Sequence, residues 1–319
     1  MEASPLGPVR VLVSACLLGE EVRYDGKHTY DAFLVEQLGR HVVWEGICPE
    51  RDSGMPIPRP PMRLIGEAAA PRLISRTGAD LTEQMQRFIE RKLAALEAIE
   101  LCGYVCKSNS PSSGMTQVHI YDEQGRAAGT GSGLFTAAFL RRFPLIPVEE
   151  EGRLRDARLR EAFIERLFCR RRWLDLMASG PDRGTLVEFH TEHKFLLLSH
   201  GRRGYTELGR LVAAAKDYEP QTLFATYEKM FMATLAQPST VKKVLDVLQH
   251  LLGFFKEQLS GDEKRELLET FETYRRSQVP LIVPLTLIQQ YVRKYEVTYL
   301  ARQVYLSPYP ADLMLRNSL

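Results

Sequence analysis

Three segments of this 319-residue chain end a short apolar run in a loop that carries a thiol or a hydroxyl. Val11-Leu12-Val13-Ser14 leads into Ala15-Cys16-Leu17-Leu18-Gly19. Val42-Val43-Trp44-Glu45-Gly46-Ile47 leads into Cys48-Pro49-Glu50. Gly103-Tyr104-Val105-Cys106 leads into Lys107-Ser108-Asn109-Ser110-Pro111-Ser112-Ser113-Gly114. Short β-branched runs bounded by turn residues read as buried strands. In an open parallel sheet the carboxyl ends of the strands lie side by side, and ligands bind in the crevice there. Cysteines far apart in sequence would meet at that crevice, as in a metal or cluster site fed by one ligand per loop. A zinc ribbon, whose cysteines come in close pairs, is a different pattern.

The elements needed to hold such loops are legible. Residues 30–38 have helical spacing, and residues 56–61 are too proline-dense for a helix or a central strand. Residues 82–99 form an amphipathic helix, with Met85, Phe88, Ile89, Leu93, Leu96 and Ile99 on one stripe. Residues 118–121 read as a strand, 129–133 as a glycine-rich link and 134–142 as a helix. This alternation predicts a doubly wound, Rossmann-like α/β domain over residues 1–148. Glu149-Glu150-Glu151-Gly152 reads as a hinge. Beyond it, residues 158–177, 186–198, 205–216, 221–235, 241–259, 262–276 and 285–295 have helical period, predicting an all-α domain over 153–319.

Composition narrows the class. Hydrophobic residues at 45% and charged residues at 26% are ordinary for a globular protein. No apolar run approaches the roughly 18 residues of a membrane span. Met1 to Pro8 lack the basic and apolar regions of a secretory signal. Five scattered cysteines do not suggest a disulfide framework, so the expected compartment is the cytoplasm. Residues 1–152 hold 16 Lys+Arg and 20 Asp+Glu, whereas residues 153–319 hold 26 and 20. A basic second half suggests a phosphate-bearing partner, or else an Arg-rich solvated surface.

Several motifs together resemble the thiouracil desulfidase family. They are Ser14-Ala15-Cys16-Leu17-Leu18-Gly19 with Arg23-Tyr24-Asp25-Gly26, then Cys48-Pro49-Glu50, Pro58-Arg59-Pro60, and Lys107-Ser108-Asn109-Ser110-Pro111-Ser112 with Gly114-Met115. Phe189-His190-Thr191-Glu192-His193-Lys194, Leu208-Gly209-Arg210-Leu211-Val212 and Ala301-Arg302-Gln303-Val304-Tyr305-Leu306 resemble the helical domain fused to that family. The fused form is associated with removing sulfur from 4-thiouridine in transfer RNA (tRNA). The resemblance implies a 4Fe–4S cluster on three cysteines with one iron open. Substrate sulfur would bind that iron, water would attack the ring carbon, and sulfide would be left behind without redox chemistry. A soft sulfur does seek a thiophilic metal, and a catalytic metal keeps an open position.

Carried over residue by residue, Cys16 and Cys48 fall on two ligand positions. The family's Ser-Pro-Ser-Cys-Gly reads Ser110-Pro111-Ser112-Ser113-Gly114 here, so Ser113 stands at the third. A hydroxyl stays protonated where a thiol ionises, which makes it a poor iron ligand. Three accounts of that serine stay open: an engineered Cys→Ser inactivation, a naturally degenerate member, and recruitment of Cys106. Beside the desulfidase acting on tRNA stand two alternatives, a free thiobase desulfidase and a cluster-less RNA-binding protein. The partner is accordingly tRNA or a thiolated pyrimidine, with no membrane.

The other candidates each have a plainer reading. Glu50 is a base for the attacking water, or a partner of Arg51, Arg59 or Lys107. Ser14, Ser110 and Ser112 hydrogen-bond the pyrimidine, or cap turns. Arg23, Tyr24 and Asp25 shape the pocket mouth with Arg59, or form an Asp–Gly turn. Lys107 touches sulfur or phosphate. His190, His193 and His200 share a helical face as metal ligands, or are structural or RNA-facing donors. Cys102 and Cys169 read as core thiols. Arg170-Arg171-Arg172-Trp173 and Arg202-Arg203 with Tyr205 mix base and aromatic as RNA-binding surfaces do, or are solvated faces.

Overall fold

The computed structural model describes residues 6–318. The absence of a secretory leader was read on Met1 to Pro8, and residues 1–5 of that stretch lie outside the described residues. The chain divides into two compact units, Met1–Phe163 and Ile164–Leu319.

The first unit is built on β1 (Arg10–Ser14), β2 (Val43–Ile47), β5 (Leu101–Cys106) and β8 (Val148–Glu150), in the order β2-β1-β5-β8. Every pairing in this sheet is parallel. β1 and β5 are central, and all of Val11–Ser14 and Leu101–Cys106 are buried, as strands covered on both faces must be. The order reverses between β1 and β5, so the crevice opens at their carboxyl ends. The α/β reading is therefore met.

A second sheet departs from expectation. β3 (Met62–Ile65), β4 (Arg72–Ser75), β6 (Val118–Tyr121) and β7 (Ala127–Gly131) form it in the order β4-β3-β6-β7. The stretch read as a glycine-rich link is mostly strand β7. Its residues are mainly exposed, so it has no apolar pattern to betray it. Helices α2 (Thr82–Leu96) and α3 (Leu134–Arg142) share one core with both sheets. Met85, Phe88, Leu93, Phe135 and Phe139 pack there with Leu12, Tyr104, Leu64, Leu73 and Ile120. Residues 33–40 form an irregular pair of turns rather than one α-helix, although Leu34 and Leu38 are buried as the spacing required.

The hinge at 149–152 is a correction. Val148–Glu150 is strand β8, and Glu149, Glu150 and Glu151 are all buried. Three consecutive acids look solvated in sequence, but Glu150 and Glu151 meet donors of the third loop, and Glu149 accepts from Glu150 N and from Arg153.

The second unit is helical: the end of α4 (Ala157–Ala178), then α5 (Arg183–His200), α6 (Arg202–Ala213), α7 (Pro220–Leu235), α8 (Val241–Gly253), α9 (Gly261–Arg275), α10 (Ile282–Lys294) and α11 (Thr298–Ala301). Trp173 is its hub, stacked on Tyr227 at 5.4 Å and edge-on to Phe189 at 5.5 Å. Asp182 and Thr240 cap α5 and α8, and Ser260 with Glu263 forms a capping box on α9. No helix among the described residues is long and apolar enough to cross a membrane.

Candidate functional site

Parallel pairing brings three loops together. β1 runs into a single helical turn, Ala15–Leu18, that holds Cys16. Ser14 pairs in register with Ile47, so the next residue of the second loop, Cys48, lies beside the first loop. Pro49 then opens the short helix α1 (Pro49–Asp52), where a missing N–H costs nothing. The loop after β5 supplies Ser113. Cys16, Cys48 and Ser113 line one cavity of about 380 Å³, together with Ser14, Glu50, Arg23, Tyr24, Arg59, Lys107 and Ser110. Ser112 is fully buried behind that wall. Asp25 is not on the wall and lies in a turn, accepting from the Lys27 N–H at 3.2 Å and from Arg23 at 3.4 Å.

The third loop is held from two sides. Helix α3 has no side-chain N-cap, and loop carbonyls take its free N–H groups instead. Leu134 N donates to Pro111 O at 3.1 Å, Phe135 N to Ser112 O at 2.9 Å and Gly133 N to Gly114 O at 2.8 Å. The Thr136 hydroxyl adds a bond to Ser113 O at 2.6 Å. A Cβ on Gly133 would lie 2.4 Å from the Ser112 carbonyl carbon, so only glycine admits this approach. From the other side, Glu150 accepts from Met115 N at 2.7 Å, and Glu151 accepts from Ser108 N at 2.7 Å. Glu151 also pairs with the Lys107 ammonium at 2.5 Å, which ties that lysine to the loop although it lines the cavity.

Glu50 is the polar centre of the site and is 8% exposed. Its Oε1 accepts from Ser112 at 2.7 Å, and its Oε2 accepts from the Cys48 thiol at 3.4 Å. Ser110 and Ser113 flank Ser112 at 3.0 and 3.2 Å, extending the chain of hydroxyls. Arg59 Nη2 stands 3.7 Å from Oε2, whereas the buried Arg59 Nε has no partner. Burial pushes the Cys16 thiol up to about 11. It pushes Cys48 up to about 12, with the Glu50 charge adding to the effect. Both stay protonated and unreactive near neutrality unless something replaces their protons.

The remaining candidates lie elsewhere. Cys106 is buried in the core with its thiol on Glu149 O at 3.5 Å, and does not line the cavity. Cys102 and Cys169 are buried and form no disulfide. His190 bonds Tyr227 at 3.1 Å, His193 bonds Phe189 O at 2.7 Å, and His200 bonds Glu165 at 2.6 Å. Burial lowers His190 to about 4 and His193 to about 3, so both are neutral. The Arg170-Arg171-Arg172 surface is a correction. Arg170 pairs with Glu228 at 3.1 Å, Arg171 is 2% exposed and pairs with Asp175 at 2.7 Å, and Arg172 donates to Pro308 O at 2.7 Å. Glu228 and Pro308 come from distant parts of the chain and Asp175 from one turn along the same helix, so the run is internal mortar. Arg202 and Arg203 are exposed, paired with Asp246 and Glu207 at 2.8 Å each. Sequence reasoning missed Tyr104, Thr136, Glu151 and the lining residue Asn109. Of these only Asn109 carries a local signal, being an asparagine in a turn-rich loop, a residue type that tolerates the left-handed φ of 58° it adopts.

Iron–sulfur clusters are held by thiolates. The cavity offers two thiols and one hydroxyl. Among the described residues no group of three or more His, Cys, Asp or Glu is arranged to hold a metal ion. As written, this donor set does not fit a cluster on three cysteines, and the misfit lies wholly at residue 113.

A parallel sheet with facing cysteine loops, a buried glutamate and a serine-rich third loop defines the class. Residues 11–151 match the 2-thiouracil desulfurase family, and the chain belongs to it. Residues 194–310 match a protein family of unknown function, DUF1722. The chain is 31% identical over 137 residues to the uncharacterized protein YbbK of Bacillus subtilis, covering 41% of this chain and 89% of that one. It is 27% identical over 162 residues to the uncharacterized protein YbgA of Escherichia coli, covering 50% and 96%. Among solved structures, a [4Fe-4S]-dependent thiouracil desulfidase, TudS, shares 35% identity over 46% of this chain and 93% of its own, with a TM-score of 0.38.

Proposed function

We propose that the first unit is a site for hydrolytic removal of sulfur from a thiolated pyrimidine, organised around a 4Fe–4S cluster on Cys16, Cys48 and a thiolate at residue 113. With Ser113 in that place, the chain as written is a silenced form. The observation that carries this reading is the convergence of three sheet-end loops, with Glu50, on one cavity. The overall change is C=S plus water to C=O plus hydrogen sulfide, which needs no oxidant or reductant. Glu50, steadied by Ser112 and flanked by Arg59, takes the proton of the attacking water. Tyr24, at the mouth and 42% exposed, offers a ring face for stacking. Ser14, Ser110 and Arg23 offer polar contacts to the base. Five cysteines with no disulfide among the described residues suit the cytoplasm.

The finer reading is that the pyrimidine is 4-thiouridine within tRNA. The positive balance of residues 153–319 and the exposed Arg202 and Arg203 support it. Full-length protein and its Ser113→Cys variant, reconstituted anaerobically with iron and sulfide, test both levels. We expect about four irons per chain, and sulfide release from 4-thiouracil, in the variant alone. Full loading of the unaltered chain, or a loaded variant inert on every thiolated pyrimidine, would overturn the proposal. For the finer reading, tRNA affinity should fall steeply with salt, and Arg202→Ala with Arg203→Ala should flatten the slope. A salt-independent affinity, or an unchanged slope, would remove tRNA from the account.

A further inference from the structure

The helical unit holds a polar pair that the chemistry above leaves unused. His190 on α5 is 9% exposed, and its Nδ1 lies 3.1 Å from the hydroxyl of Tyr227 on α7. That phenol is fully buried and has no other hydrogen-bond partner among the described residues, so its O–H donates to Nδ1. A neutral imidazole that accepts at Nδ1 carries its own proton on Nε2. The core thus fixes the tautomer and turns His190 into an oriented donor. Nε2 faces Gly209 on α6, where a Cβ would stand 3.8 Å away, and the missing side chain leaves the nitrogen uncovered from that side. No described residue accepts from Nε2.

Lys194 follows His190 by one turn of α5, on the same face. Burial first, and then the Lys194 charge, hold the imidazole at about 4, and no carboxylate acts on it. Lys194 has no ion-pair partner among the described residues, whereas Arg202 and Arg203 in the first turn of α6 each have one. A fixed N–H beside an unmatched ammonium suits an oxyanion, which accepts from both. Beside them the Tyr205 ring lies parallel to the imidazole within 9°, its centroid 6.4 Å away. An aromatic wall next to cationic donors is how RNA-binding surfaces take a nucleotide rather than a bare anion.

We infer that His190 and Lys194 form a phosphate-binding site on the helical unit, which takes a phosphodiester of an RNA strand with an adjoining base against Tyr205. The inference draws on the tRNA reading for the source of the phosphate, and on nothing at the cysteine cavity.

The test uses the full-length unaltered chain with isotope-labelled histidine, followed by NMR, with the His190 signals identified by their loss in His190→Gln. Without ligand, the nitrogen shifts should place the proton on Nε2. Inorganic phosphate, titrated against chloride at matched ionic strength, should move those signals saturably. It should also raise the His190 pKa from about 4, because a bound anion favours the imidazolium. Lys194→Ala, with Tm unchanged, should weaken that binding several-fold. A short oligouridylate should bind more tightly than phosphate, and Tyr205→Leu should remove the advantage. A proton on Nδ1, His190 signals that neither ligand moves, or equal affinity in Lys194→Ala would overturn the site. Oligouridylate bound with His190 silent would overturn it too, while leaving the tRNA reading to stand on other residues. Phosphate binding without any gain for the oligonucleotide would support the oxyanion site and overturn RNA as its source.

Discussion

Glu165 and His200 meet within the helical unit with Oε1 and Nε2 2.6 Å apart, at 6% and 2% side-chain exposure. Burial alone would drive His200 to the neutral form, but the Glu165 charge and hydrogen bond outweigh it and raise the imidazole above its ordinary value of 6.5. A group raised on folding contributes stability that is complete below its unfolded value and is lost as pH climbs through the folded one. The chain should therefore lose Tm as pH rises from about 6.5, and Glu165→Gln should remove that part of the slope. Matching profiles for the two proteins, followed by circular dichroism, would assign the slope elsewhere. Spacing put these histidines on a helix, but it could not reveal their partners. Tyr227 lies 37 residues from His190, and Glu165 lies 35 from His200. An arginine run has the same ambiguity, because Arg170 to Arg172 look identical in sequence whether they face water or Glu228, Asp175 and Pro308.

At the level of elements, the third loop and the start of α3 complete each other. The helix lacks a side-chain cap, and the loop carbonyls lack strand partners. Gly133→Ala would drive a methyl group into the Ser112 backbone, which cannot move aside as a flexible side chain would. We expect a loss of about 3 kcal/mol in denaturant unfolding, and no cluster loading even with Ser113→Cys. Near-normal stability would mean that the loop has another way to sit. β1 and β5 were legible because buried parallel strands are continuous apolar runs, whereas β2, read as buried, is an edge strand in which only Ile47 is buried. β3, β4 and β7 were not, since they are short, partly exposed and separated by Pro or Gly. The acid triplet was misread for a related reason: a carboxylate aimed at loop N–H groups cannot be told from a solvated one without the loop beside it.

At the scale of the molecule, the first unit closes only with β8 and the residues after it. A fragment ending at residue 148 would lose Glu150 and Glu151 and the loop donors they satisfy, whereas one ending at residue 163 keeps them. With Ser113→Cys in both, the longer fragment should fold cooperatively and load iron, and the shorter should do neither. A shorter fragment that folded and loaded would show the acids to be dispensable. The broad division into α/β and helical halves came from periodicity, which survives without knowledge of contacts. The end of the first half did not, because β8 is three residues long and its sequence is acidic.

That late closure also sets a schedule for synthesis. A ribosome makes Cys16 and Cys48 early, but the carboxylates that clamp the third loop arrive about 100 residues after Cys48, roughly 5–20 seconds later at ordinary elongation rates. Through that interval two thiols wait beside a half-built sheet, open to oxidants and stray metal ions. The cavity those loops line is therefore incomplete until residue 151 has emerged, and anything it holds can be gripped only after the first unit has folded.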